Sequence, residues 1–192
     1  SKRIPILGQG SFLVQFGPIG RFFQALSFHL SMFNMFISAA IVGVSYLTAD
    51  MYSTLIRAKW DTEYSLDTDL SLDEYIARVS ISVGGLGDSC VGMMAILTSG
   101  IWTAAYDLGG IDWLVVHVCE MEKFFVIGSG AIISGISAKL AFDFPAGNHM
   151  FIPMFFSGGT AMFFGSVQAV PWFSKRFPDL MYFLHRGQLI VT

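Results

Sequence analysis

The sequence predicts an all-α integral membrane protein: a four-helix bundle with an irregular N-terminal arm and a short C-terminal surface helix. Three observations carry this reading. The 192 residues are 54% hydrophobic and only 13% charged, against about 25% charged in an ordinary soluble domain. Residues 22–49 hold no charge and residues 79–106 hold one, Asp88, whereas about 20 apolar residues suffice to cross a bilayer. Small residues also recur at helical steps within these stretches. Lipid tails are as apolar as Leu, so close backbone approach over small residues is what brings helices together there.

The elements follow in order. Residues 1–21 carry Lys2, Arg3 and Arg21 and no acid, with Gly8, Gly10, Gly17, Gly20, Pro5 and Pro18 interrupting any regular helix. They are expected to lie as a basic arm on a membrane surface or a partner. The membrane domain, 22–172, opens with a first span at 22–49, in which His29 and Asn34 must find partners inside the bundle. Residues 50–78 hold seven acids against three bases and are expected as a solvated loop. Near its end Ser71 and Glu74 have the spacing of a capping box, so the second helix should start near Leu72 and cross the bilayer over 80–106.

One line down that second helix runs Ser82, Gly85, Ser89, Gly92, Ile96, Ser99, Thr103. A polar turn at 107–112, with Asp112 as candidate cap, then makes a hairpin with a third span at 113–140. The third span carries Gly128, Ala131, Gly135 and Ala138, and the two small lines are expected to face each other. The fourth span, 149–172, places Ser157, Ala161, Gly165 and Ala169 at strict steps of four, another close-packing pattern. In the tail, 173–192, Pro178 and Asp179 open the short surface helix, which runs through His185. An even number of spans puts both termini on one side with seven basic residues against four. The basic side is the cytoplasmic or matrix side.

Chemistry is sparse. Asp88 is an intramembrane acid, a residue type that marks ion or proton paths, and it is the candidate for that role. His117, Glu120, Glu122 and Lys123 open the third helix; Glu120 and Lys123 are three apart and able to pair, which reads as a solvated helix start. His29 and His117 are candidate axial ligands for a haem, provided they lie at one depth. Cys90 and Cys119 have no metal-ligand spacing and read as reduced packing residues. The basic residues form no patch of the kind nucleic acid requires, and no nucleophile elbow, P-loop, dinucleotide fingerprint or zinc motif is present.

Two short pieces, SYLTAD at 45–50 and ARVSISV at 77–83, resemble the mitochondrial fission process protein family of multi-span inner-membrane proteins. They cover 13 residues. The resemblance implies a place, the mitochondrial inner membrane, and supplies no catalytic residue; it also makes a role in inner-membrane morphology an alternative.

These features lead to the expectation of a non-enzymatic accessory subunit of a respiratory-chain or ATP-synthase complex. Its partners would be other membrane subunits and bound phospholipid, with no metal and no required cofactor. A transporter centred on Asp88 and a haem or quinone anchor centred on His29 and His117 are the competing classes.

Overall fold

The computed structural model describes residues 32–64 and 70–191, and every regular element among them is a helix. Helix α1, Met32–Lys59, runs on into a π turn at Trp60–Tyr64. Helix α2 is Leu72–Asp107. Helix α3 is one continuous rod, Ile111–Asp143, made of α-helical halves joined by a π turn at Glu122–Ile127. A short 3-10 turn, Pro145–Gly147, leads into α4, Asn148–Gln168, followed by α5, Pro171–Arg176, and α6, Pro178–Val191. Four segments are long and apolar enough to cross a membrane: Phe36–Glu63, Leu72–Asp107, Ile111–Asp143 and Pro145–Gln168.

The second helix starts where the capping box places it. Ser71 Oγ accepts from the Glu74 amide at 3.3 Å, and the Glu74 carboxylate accepts from the Ser71 amide at 3.0 Å, so two orphan donors are satisfied reciprocally. Between α2 and α3 the chain turns through Gly109 at φ 73°, a conformation that glycine adopts without a Cβ clash. The hairpin is present, but Asp112 lies in the first turn of α3 and the cap position falls to Gly110.

Two expectations change. The stretch 50–78 is not loop throughout, because α1 continues past Asp50 to Lys59 with Arg57 and Lys59 in its last turn, where cations oppose the helix dipole favourably. The C-terminal helix begins at Pro178 as expected and lies on the surface, with Asp179, Phe183 and Arg186 exposed and one face, Met181 and His185, buried. The fourth helix ends at Gln168, and Pro171 starts α5 instead of closing α4. The arm at 1–21, with His29 beyond it, lies outside the described residues.

The small lines of α2 and α3 do not face each other. A Cβ built on Gly135 would sit 2.5 Å from the Val42 carbonyl oxygen of α1, and one on Gly130 would sit 2.5 Å from the Gly158 oxygen of α4. On α2 it is Gly84 and Gly87 that are covered, by Met150 and Met154 of α4, while Gly85 has nothing within 4 Å. Thus α3 is gripped by α1 on one side and α4 on the other, and α4 in turn packs on α2. The physical reason is that α2 has two adjacent glycine lines, and in lipid neither is marked as inward by polarity.

At the Asp107 end a second core forms from Trp102, Leu114, Val115, Val118, Cys119 and Met181, with Phe173 and Leu184 packed against it. Here α6 runs antiparallel to the last turns of α2: Asp179 accepts from the Tyr106 hydroxyl near one end, and Gln188 meets Ser99 at the other.

Candidate functional site

The uncharged run of α3, residues 124–138, is bounded at each end by a polar cluster. The first half of α3 delivers Glu120 and Lys123 to the outside, where they pair at 2.8 Å as their spacing allows. Glu122, between them in sequence, points the other way and is 1% exposed. It is the first residue of the π turn, a local widening of the helix that is frequent at functional sites. Neither of its carboxyl oxygens has a hydrogen-bond partner, although burial without one is costly.

What faces Glu122 comes from α6. His185, also 1% exposed, brings Nε2 to 3.4 Å from Glu122 Oε1, within ion-pair reach but not in hydrogen-bond alignment. Its Nδ1 lies 3.1 Å from Ser99 Oγ of α2, and Ser99 Oγ donates to Gln188 Oε1 at 2.6 Å. Because the single Ser99 proton goes to Gln188, Ser99 accepts from His185 Nδ1–H, and this assigns the tautomer. Nε2 then presents a lone pair to Glu122. Burial pushes the His185 imidazole down to about 3, in keeping with that neutral ring. Trp102 completes the wall, its ring 5.5 Å from the imidazole at a 54° tilt and its Nε1 without a hydrogen-bond partner.

The other cluster, at the Asp143 end, is built differently. Lys139 Nζ lies 3.0 Å from Asp143 and 3.3 Å from Asp50 of α1, and 5.6 Å from the Tyr46 ring centroid. Ser53 Oγ donates to Asp143 at 2.6 Å. Arg57 sits over the Phe144 ring at 5.1 Å.

The residues singled out from sequence are scattered through this frame. Gly85 and Ser89 are exposed and Gly92 is half-buried. Gly128 has open space around its Cα, Ala131 is buried, and Gly135 makes the α1 contact. Ser157 and Ala161 are half-buried, and Gly165 rests on Val126 and Ile127. Asp88 is half-buried, with Oδ1 buried and without a hydrogen-bond partner. His117 is exposed, with its ring 4.3 Å from Trp113, and its proposed co-ligand His29 lies outside the described residues. No group of three or more potential metal ligands exists among the described residues.

The reading of residues 117–123 as a uniformly solvated helix start is therefore corrected at Glu122. His185, Ser99 and Gln188 had no part in any sequence-derived site. A signal for them exists: Met181, His185 and Gln188 fall on one helical face of α6, and Ser99, Trp102 and Tyr106 fall on one face of α2.

Four membrane-crossing helices define a multi-pass membrane protein. No family model, curated protein or solved structure matches the chain.

Proposed function

We propose that the protein is a structural subunit built into a larger assembly of the mitochondrial inner membrane, such as a respiratory complex or ATP synthase, with both termini on the matrix side. The observation that carries this is the first part of the small line of α2, Ser82 to Ser89, which looks outward. Ser82, Gly85 and Ser89 are exposed, and a Cβ on Gly85 would meet nothing within 4 Å. Ser89 Oγ is already satisfied by the Gly85 carbonyl at 2.7 Å, so the line offers a shallow, hydrogen-bond-neutral trough between the exposed Leu86 and Met93. A trough of that kind suits close approach by another helix. The inner-membrane location is supported by the resemblance at 45–50 and 77–83, and the orientation by the count of basic residues.

The test is to solubilise native membranes in mild detergent and size the chain on a native gel. Migration within a large species supports the reading, and migration as a small free species overturns it. Gly85→Leu should leave the chain folded and reduce its share in the large species. An unchanged share means that another face makes the contact.

A further inference from the structure

We propose that Glu122 and His185 form a proton-binding site in which the acid form of Glu122 faces the neutral Nε2 of His185, and that occupancy of this site holds α6 in its seat. This goes beyond the subunit reading and does not depend on it.

Ser99 spends its hydrogen on Gln188 and takes Nδ1–H from His185, so the imidazole offers Nε2 as an acceptor. Among the described residues, the polar atom placed against that acceptor is Glu122 Oε1 at 3.4 Å. An ionised carboxylate there would set a negative charge against a lone pair, with both carboxyl oxygens unpartnered and the side chain 1% exposed. One proton on the carboxyl turns the contact into O–H to Nε2, leaves both groups uncharged and removes the cost of a bare buried ion. A modest closing of the 3.4 Å gap completes the hydrogen bond, since O–H donors reach nitrogen or oxygen acceptors at about 2.5–3.0 Å.

The charged groups on the surrounding elements do not offer a substitute. On α3 Glu120 and Lys123 pair with each other on the outer side, and the Cys119 thiol, one turn before Glu122, meets Gln168 O and Ser174. On α2 Tyr106 is engaged with Asp179 of α6. Arg186 of α6 is exposed and bonded to the Tyr182 hydroxyl, and Lys175 and Arg176 of α5 are exposed. The α4 helix brings the uncharged Gln168. Removal of the proton therefore leaves a carboxylate with no cation among the described residues, and addition of a second leaves an imidazolium with no anion among them. Either state favours the opening of α6 to water.

The full chain, in detergent or lipid, is followed by infrared spectroscopy and by hydrogen exchange of the α6 amides across pH. The expected result is a carboxylic-acid C=O band near neutral pH that shifts on deuteration, is absent in Glu122→Gln and is kept in Asp88→Asn. On raising the pH the band and the α6 protection are lost together, the protection falling about tenfold per pH unit after correction for intrinsic exchange. Glu122→Gln donates an amide N–H to Nε2 and cannot ionise, so its α6 protection should persist at alkaline pH. A band that survives in Glu122→Gln, an imidazolium signature for His185 near neutral pH, or the same alkaline loss in the variant overturns the site. If Glu122→Gln does not fold, the parent still decides the matter: α6 protection that outlasts the acid band overturns it.

Discussion

At one end of the uncharged stretch of α3, Lys139 stands between two carboxylates, with a serine hydroxyl on one of them and water within reach of Asp50, whose side chain is 72% exposed. At the other end, about 22 Å away along 15 residues of helix, Glu122 and His185 are both sealed from solvent with a single contact between them. The first cluster balances charge with charge at a boundary where long side chains still reach water. In the second the groups are too deeply packed for an ion pair to recover its desolvation cost without further hydrogen bonds, and neutrality has to come from a proton. Depth of packing, more than residue type, decides which solution is open to an acid on this helix.

The largest effect comes from removing the frame that both clusters share. Gly158 lies where α4 crosses α3 between them, with a built Cβ only 2.7 Å from the Gly130 oxygen and from Ser134 Oγ. Gly158→Leu should separate the two helices at a cost above about 3 kcal/mol, so little folded protein accumulates. Gel filtration and abundance in membranes would show this; a monodisperse variant at parental level would mean that the crossing is not needed.

Next in size is a change confined to the dry cluster. His185→Ala strips the facing group from Glu122 and the donor from Ser99, and should cost about 3 kcal/mol in a reversible unfolding assay. Glu122→Gln, which keeps a donor toward Nε2, should stay within about 1 kcal/mol of the parent. Reversal of that order would mean that the pair is an ion pair.

The same cluster predicts a pH dependence. The unfolded chain takes up a proton on this histidine near its ordinary value of 6.5, which the folded chain refuses until about 3. Between about 6.5 and 4.5 the proton held on folded Glu122 offsets it, because the unfolded carboxyl is ionised there; below that carboxyl's ordinary value of 4.5 the unfolded state holds one proton more, and stability falls as pH drops toward 3, by at most about 1.4 kcal/mol per unit. His185→Ala should flatten that acid limb.

Much of this contrast was illegible in sequence, for physical reasons. The spans, the start of α2 and the Glu120–Lys123 pair rest on local chemistry: uncharged length, a capping box, a three-residue spacing. Those could be read directly. Glu122 lies between two residues that do face out, and its inward direction follows from helix phase and from the arrival of α6, 63 residues later. The facing of Gly84 instead of Gly85 was likewise decided by Met150 and Met154, not by any contrast between water and apolar core. Helix existence is local; which face a membrane helix buries is not.

A smaller effect belongs to the boundary cluster. Lys139→Met leaves Asp50 and Asp143 without their shared cation, yet Asp50 relaxes into water and Asp143 keeps the Ser53 hydroxyl. The loss should be about 1–2 kcal/mol, between that of an exposed pair and a sealed one, because Asp50 is open to water while Lys139 and Asp143 are largely covered. Added salt should shrink the difference between variant and parent, since partly exposed charges are screened over about 10 Å at ~0.1 M. The His185→Ala difference should be indifferent to salt. Equal salt dependence at both ends would erase the distinction between them.

The smallest expected effect is at Asp88, which tests whether a third acid on the bundle belongs to either kind. Its side chain is half-buried, with one oxygen covered and without a hydrogen-bond partner, and its neighbour Gly87 is occupied by Met154 while Ser89 is open. It has neither the lysine of the boundary cluster nor the imidazole of the dry one, and part of its surface remains available to solvent or headgroups. Asn has the same shape and keeps an acceptor oxygen, so Asp88→Asn should alter folding stability by no more than about 0.5 kcal/mol, the range of surface substitutions. It should leave assembly into the large species unchanged. A larger loss of stability would show that the charge has a partner in the assembled state. Intact assembly with loss of a measurable proton or ion flux would move Asp88 from the packing of the bundle to the chemistry of transport.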